Sequence, residues 1–169
     1  MDSAGPILVL IGAPGAGKTR IGKRVAKLLD VPFVDTDKRI VAQHGPITEI
    51  FAEHGEPYFR KREREQVVLA LAGTGVVSLG GGAVLDPHTQ ADLQGLTVVQ
   101  LSVTAEAVDK RNLGAKRPLL KGGIESWKAL VAVRAPIYDR LADRTFDTST
   151  LAAERVAADI AAWVKEATK

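Results

Sequence analysis

A chain of 169 residues suits one compact domain, 1–169, large enough to bury a core without metals or crosslinks. Hydrophobic residues make up 46% and charged residues 25%, the balance of a globular protein rather than a disordered one. Cysteine is absent, which excludes disulfides, thiolate metal sites and a cysteine nucleophile, and the net charge of +3 is too scattered to mark a nucleic-acid partner.

The first element in chain order is the apolar run Ile7 to Ile11, bounded by Gly5-Pro6 and Gly12, which reads as a buried strand. It is too short for a signal peptide, and no run approaches the roughly 20 apolar residues that span a bilayer. A cytoplasmic protein without a membrane partner is therefore expected. Gly12-Ala13-Pro14-Gly15-Ala16-Gly17-Lys18-Thr19 follows, a full G-x-x-x-x-G-K-[ST]. Its glycines let backbone N–H groups turn inward around an anion, Lys18 reaches the β- and γ-phosphates, and the Thr19 hydroxyl can ligate Mg²⁺. A strand before this segment and a helix after it (Ile21, Val25 and Leu28-Leu29 at helical spacing) give it the context of a true phosphate loop.

Phe33-Val34-Asp35 reads as a second strand, ending in Asp35-Thr36-Asp37 on the rim where parallel sheets bind ligands. Asp37 fits either a role at the metal or a substrate hydroxyl, or the cap of a helix starting near Lys38. Ile47 to Glu53 and Glu56 to Leu71 read as helices. In the charged run 55–63 and just beyond it, Arg60 and Arg64 would pair with nearby glutamates, unless one arginine is a buried carboxylate ligand. Val76 to Leu79 is a third strand ending in Gly80-Gly81-Gly82, a run expected to admit close approach of a ligand to the backbone. Leu96 to Val103 is a fourth strand with a helix after it, and the glycine-rich stretch 112–123 is expected to be a mobile lid. Trp127 to Leu141 is helical, with Pro136 expected to bend or restart it. Arg144 to Thr148 reads as a fifth strand and Leu151 to Lys165 as a last helix. Trp127 and Trp163 read as anchors on helices, and the three histidines lack metal-ligand spacing. Strands alternating with helices predict an α/β, three-layer P-loop fold: a five-stranded parallel sheet flanked by helices, plus a lid.

Seven motifs in register now resemble the shikimate kinase family: the P-loop, Asp35-Thr36-Asp37, Gly55-Glu56-Pro57-Tyr58-Phe59-Arg60 with Glu63, Ser78-Leu79-Gly80-Gly81-Gly82-Ala83, Arg117-Pro118-Leu119-Leu120, Arg134-x-Pro-x-Tyr138 and Asp147-Thr148. The resemblance implies a nucleoside-monophosphate-kinase-like fold and ATP-dependent phosphorylation of the 3-hydroxyl of shikimate, in aromatic amino acid biosynthesis; a monomer is expected. It implies ATP contacts from Gly15, Ala16, Gly17, Lys18, Thr19, Arg20, Arg111 and Arg117, and Mg²⁺ held by Thr19 and, through water, by Asp35. It also implies a catalytic set of Asp37, Lys18 and Arg117. Shikimate would be held by Asp37, Arg60, Arg134 and the backbone of Gly81 and Gly82. Two other readings are a kinase for another hydroxylated acid, such as gluconate, and a non-catalytic nucleotide-binding module.

Overall fold

A computed structural model describes residues 5–113 and 123–167. Five strands, β1 (Leu8–Gly12), β2 (Phe33–Asp35), β3 (Val76–Ser78), β4 (Val98–Ser102) and β5 (Arg144–Asp147), form one sheet in the order β2-β3-β1-β4-β5. Every pair is parallel, with Leu10 level with Ser78, Asp35 level with Ser78, and Ser102 level with Asp147. The strands therefore end on a common rim. The connections from β1 to β2 and from β3 to β4 leave in opposite directions there, which opens the crevice used for ligands in such sheets.

Helices cover both faces because β1 is buried on both, and its side chains alternate between two cores. Leu8 and Leu10 pack against α1 (Lys18–Leu29) and α8 (Ala153–Ala167), whose Val156, Ala157, Ile160, Ala161 and Val164 recur at helical spacing. Val9 and Ile11 pack on the other face, where α4 (Glu56–Leu71) contributes Val67 and Ala70, and α7 (Gly123–Leu141) contributes Tyr138. Truncating Leu8, Leu10, Ile11 or Ile160, all fully buried, to alanine costs about 2–5 kcal/mol.

α2 (Thr36–His44) and α3 (Ile47–His54) form a smaller group with α4 around Ile40, Ile50 and Phe59. A short 3₁₀ turn (Ala83–Leu85) and α5 (Pro87–Asp92) follow β3, and α6 (Ala105–Leu113) follows β4. Neither α5 nor the 3₁₀ turn is evident in the sequence pattern. Residues 112 and 113 belong to α6 and Gly123 opens α7, so the expected lid loses both its ends to helices. Its remainder, 114–122, with Arg117, lies outside the described residues. Pro136 neither ends nor restarts α7, which is one helix from Gly123 to Leu141. A proline removes a single intrahelical hydrogen bond, and the burial of Trp127, Arg134 and Tyr138 holds both halves of the helix. Among the described residues, no helix is long and apolar enough to cross a membrane.

Candidate active site

The P-loop connects β1 to α1 on the strand-end rim. Gly17, in a left-handed conformation at φ 91°, precedes the first residue of α1, so the helix N-terminus opens directly onto the loop. Lys18 reaches back over it, its Nζ donating to the carbonyls of Gly12 (2.7 Å) and Ala13 (3.0 Å). Burial lowers the Lys18 pKa from 10.5 to about 8, against the pull of Asp37 and Asp35.

Asp35 and Asp37 separate into two roles. α2 begins at Thr36, earlier than the sequence suggests, and its N-cap is Asp35, whose carboxylate accepts the Lys38 N–H at 3.2 Å. Asp37 therefore lies in the first turn and is not the cap. The other oxygen of Asp35 accepts the Thr19 hydroxyl. A hydroxyl and a carboxylate are hard oxygen donors that fit Mg²⁺, which commonly takes one or two protein ligands with phosphate oxygens and waters.

Asp37 Oδ1 is buried and has no hydrogen-bond partner among the described residues. Burial raises its pKa, the Asp35 charge adds to the rise, and Lys18 and Arg60 oppose it. An unsatisfied buried carboxylate oxygen costs stability, and such groups concentrate at sites of function.

Gly80-Gly81-Gly82 supplies the wall opposite. A Cβ on Gly81 would lie 3.2 Å from an Arg134 guanidinium nitrogen, and one on Gly82 would lie 2.4 Å from Arg60. Asp37 stands against Gly80 in the same way. Each glycine thus makes room for one charged side chain, an unanticipated use of the triplet. The turn is also tied down: Gly80 N–H donates to Thr36 Oγ1 at 3.2 Å, and Tyr138 donates to the Gly81 carbonyl at 2.6 Å.

The arginines are oriented by acids or burial. Arg60 pairs with Glu63 at 2.8 Å, and burial raises the Glu63 pKa against the pull of that guanidinium. Glu63 is only 4% exposed on an otherwise charged helix, which marks it as a partner rather than a surface residue. Arg64 pairs with Asp92 and donates to Thr89, not to a glutamate as expected. Arg134, at 9% exposure, projects from α7 into the cluster, where its charge helps to lower the Lys18 pKa.

Arg111, on α6, donates to the Gly15 carbonyl at 3.1 Å and also to the Thr148 carbonyl, beside the segment that follows β5. Arg20 is exposed and lies within 3.9 Å of Glu154 on α8. Sequence reasoning gave no site role to Glu63, Thr148 or Trp127. Glu63, three residues after Arg60, and Thr148, in the Asp147-Thr148 motif, each left a trace in the sequence. A rim carrying a phosphate loop, a buried acid and two buried or half-buried guanidiniums can bind a polyphosphate beside a second, anionic and hydroxylated molecule.

Comparison with known proteins agrees. The family model described as shikimate kinase matches residues 14–165. The shikimate kinase of Salinispora tropica is 48% identical over 161 residues, covering 93% of this chain and 96% of the relative. That of Thermobifida fusca is 47% identical over 163 residues, 94% of this chain and 95% of the relative. The solved structure of Acinetobacter baumannii shikimate kinase in complex with shikimate superposes with a TM-score of 0.84 at 29% identity, covering 98% of this chain and 95% of that one. The parallel sheet with its P-loop is the fold of those kinases, and the chain belongs to the shikimate kinase family.

Proposed function

We propose that this protein transfers the γ-phosphoryl group of ATP to the 3-hydroxyl of shikimate, giving 3-phosphoshikimate and ADP. The observation that carries the reading is the one-to-one pairing of Asp37, Arg134 and Arg60 with three consecutive glycines beside the P-loop. Two guanidiniums suit the substrate carboxylate, which a planar fork binds through both oxygens. Asp37 suits the hydroxyl: it orients the attacking oxygen and accepts its proton as the new P–O bond forms and the bond to the β-phosphate breaks.

The P-loop amides and Lys18 hold the β- and γ-phosphates, releasing Lys18 from the carbonyls of Gly12 and Ala13. Thr19, and Asp35 through water, would hold Mg²⁺, which neutralises phosphate charge when bound. Arg111 would turn its guanidinium to the adenine. Arg20, on the first turn of α1, is proposed as a phosphate contact. Arg117, and a lid reduced to 114–122, enter this reading from the sequence alone, to supply positive charge to the transferring group.

An ADP-release assay with Mg-ATP tests the reading. ATP consumption should depend on shikimate, and neither gluconate nor a nucleoside monophosphate should replace it. Equal turnover with gluconate overturns the substrate assignment.

A further inference from the structure

Backbone N–H groups that point into a phosphate loop leave its carbonyls pointing outward, where each needs a donor. Every carbonyl from Gly12 to Ala16 has one. Lys18 serves the first two, Trp127 Nε1 donates to Pro14 at 2.8 Å, Arg111 to Gly15 at 3.1 Å, and Thr148 Oγ1 to Ala16 at 2.8 Å.

These donors differ in freedom. Lys18 and Arg111 are long side chains that the kinase reading sends to the nucleotide. The Trp127 indole is 3% exposed and packed with Ala13 and Val108, so it stays where it is. Its helix, α7, also carries Arg134 and Tyr138, seven and eleven residues further on and so on the same face. Tyr138 holds the Gly81 carbonyl, and Gly81 in turn lies against the Pro14 ring, where a Cβ would come within 3.3 Å of Pro14 Cδ. One helix thus grips the P-loop and the triglycine turn at the point where they touch.

We propose that Trp127 is a positioning residue for the nucleotide: its indole N–H fixes the Pro14 carbonyl and keeps the P-loop amides aimed at the phosphates. This rests on the kinase reading of the same loop. The Pro14 carbonyl shares its planar peptide with the Gly15 N–H, so holding the carbonyl fixes the direction in which that N–H points.

Trp127→Phe tests it, because the ring and most of the packing remain while the donor is lost. The Kd for Mg-ADP, titrated calorimetrically without shikimate, should rise about 3- to 10-fold, the scale of one neutral hydrogen bond. The Kd for shikimate should stay within about 2-fold and the melting temperature within about 3 °C. In ¹⁵N spectra of the wild type, the indole signal missing from the variant is that of Trp127. It should shift with Mg-ADP, while that of Trp163, the other tryptophan, stays still. An unchanged ADP affinity in the variant overturns the proposal. So does equal weakening of both ligands together with a large drop in melting temperature, which marks a packing role only. A wild type that binds no ADP would overturn the kinase reading as well, so the two failures are distinct.

Discussion

The carboxylate of Asp37 stands where a side chain on Gly80 would begin, since a Cβ there would lie 2.4 Å from Asp37 Oδ1. Gly82 has the same relation to Arg60. In both cases the obstructed atoms are side-chain ends, which can swing aside, and neither glycine has positive φ.

Alanine at these positions should therefore displace the charged groups without unfolding the protein. Gly80→Ala is expected to lower kcat by about 10²-fold, the lower end for a mispositioned acid–base group, with Mg-ADP affinity preserved. Gly82→Ala should mainly raise the KM for shikimate, by about 10-fold, because one charged grip moves. Steady-state kinetics with a melting curve for each variant separates the two effects. Matching losses in kcat, KM and stability would mean that the turn simply collapses.

Asp37→Asn removes the ionised carboxylate at nearly constant volume. The kcat should fall about 10²- to 10⁴-fold. Burial raises the Asp37 pKa above its ordinary 3.8, so the folded state holds this proton more tightly than the unfolded state does. The stabilising contribution of the protonated acid is complete below 3.8 and is lost as pH rises through the raised value. At neutral pH the ionised form is a burden to the fold, and Asp37→Asn should melt at or above the wild-type temperature, the difference fading in acid. A variant that melts well below wild type at pH 7 would give Asp37 a structural role.

Much of this site is legible in the sequence because its backbone devices are local. The P-loop is contiguous, and the five strands read along the chain, four of them from short apolar runs, agree with β1 to β5 to within a few residues. What stays hidden depends on contacts distant along the chain. Nothing near residue 127 indicates that its indole meets Pro14, 113 residues away. The α4 pattern misleads for a related reason: Glu63 is buried on the face that also carries Phe59, Val67 and Ala70, where it pairs with Arg60, while Val68 and Leu69 are exposed. Of the two readings the sequence allows for Asp37, the cap gives way, since α2 is capped two residues earlier by Asp35; both are good capping residues and only the backbone dihedrals choose between them.

Arg134→Lys keeps the charge and loses the fork. Shikimate affinity should drop about 10-fold, with Mg-ADP affinity within about 2-fold, since a lysine offers a point charge where two parallel donors are needed. Titrating each ligand alone checks this. Parallel weakening of both would place Arg134 among the residues that hold α7 against the sheet.

Lys18 predicts the pH dependence of nucleotide binding. With its pKa lowered by burial to about 8, the free enzyme loses this charge just above neutrality. Phosphates favour the ammonium, so binding raises the pKa and takes up a proton at any pH where the free lysine is neutral. Proton uptake per Mg-ADP should be near zero at about pH 6.5 and approach one by about pH 9.5, and affinity should fall toward 10-fold per pH unit above 8. Calorimetry in two buffers of different ionisation enthalpy measures both. The same shift acts on the free protein with its own sign. Between about 8 and 10.5 only the unfolded chain keeps the proton, so the Lys18 contribution to folding stability rises with pH across that window. Lys18→Met should abolish the uptake, whatever affinity it retains. Uptake that persists in that variant would assign the titrating group to another residue, and pH-independent affinity from 7 to 9.5 would show that Lys18 does not lose its proton in this range.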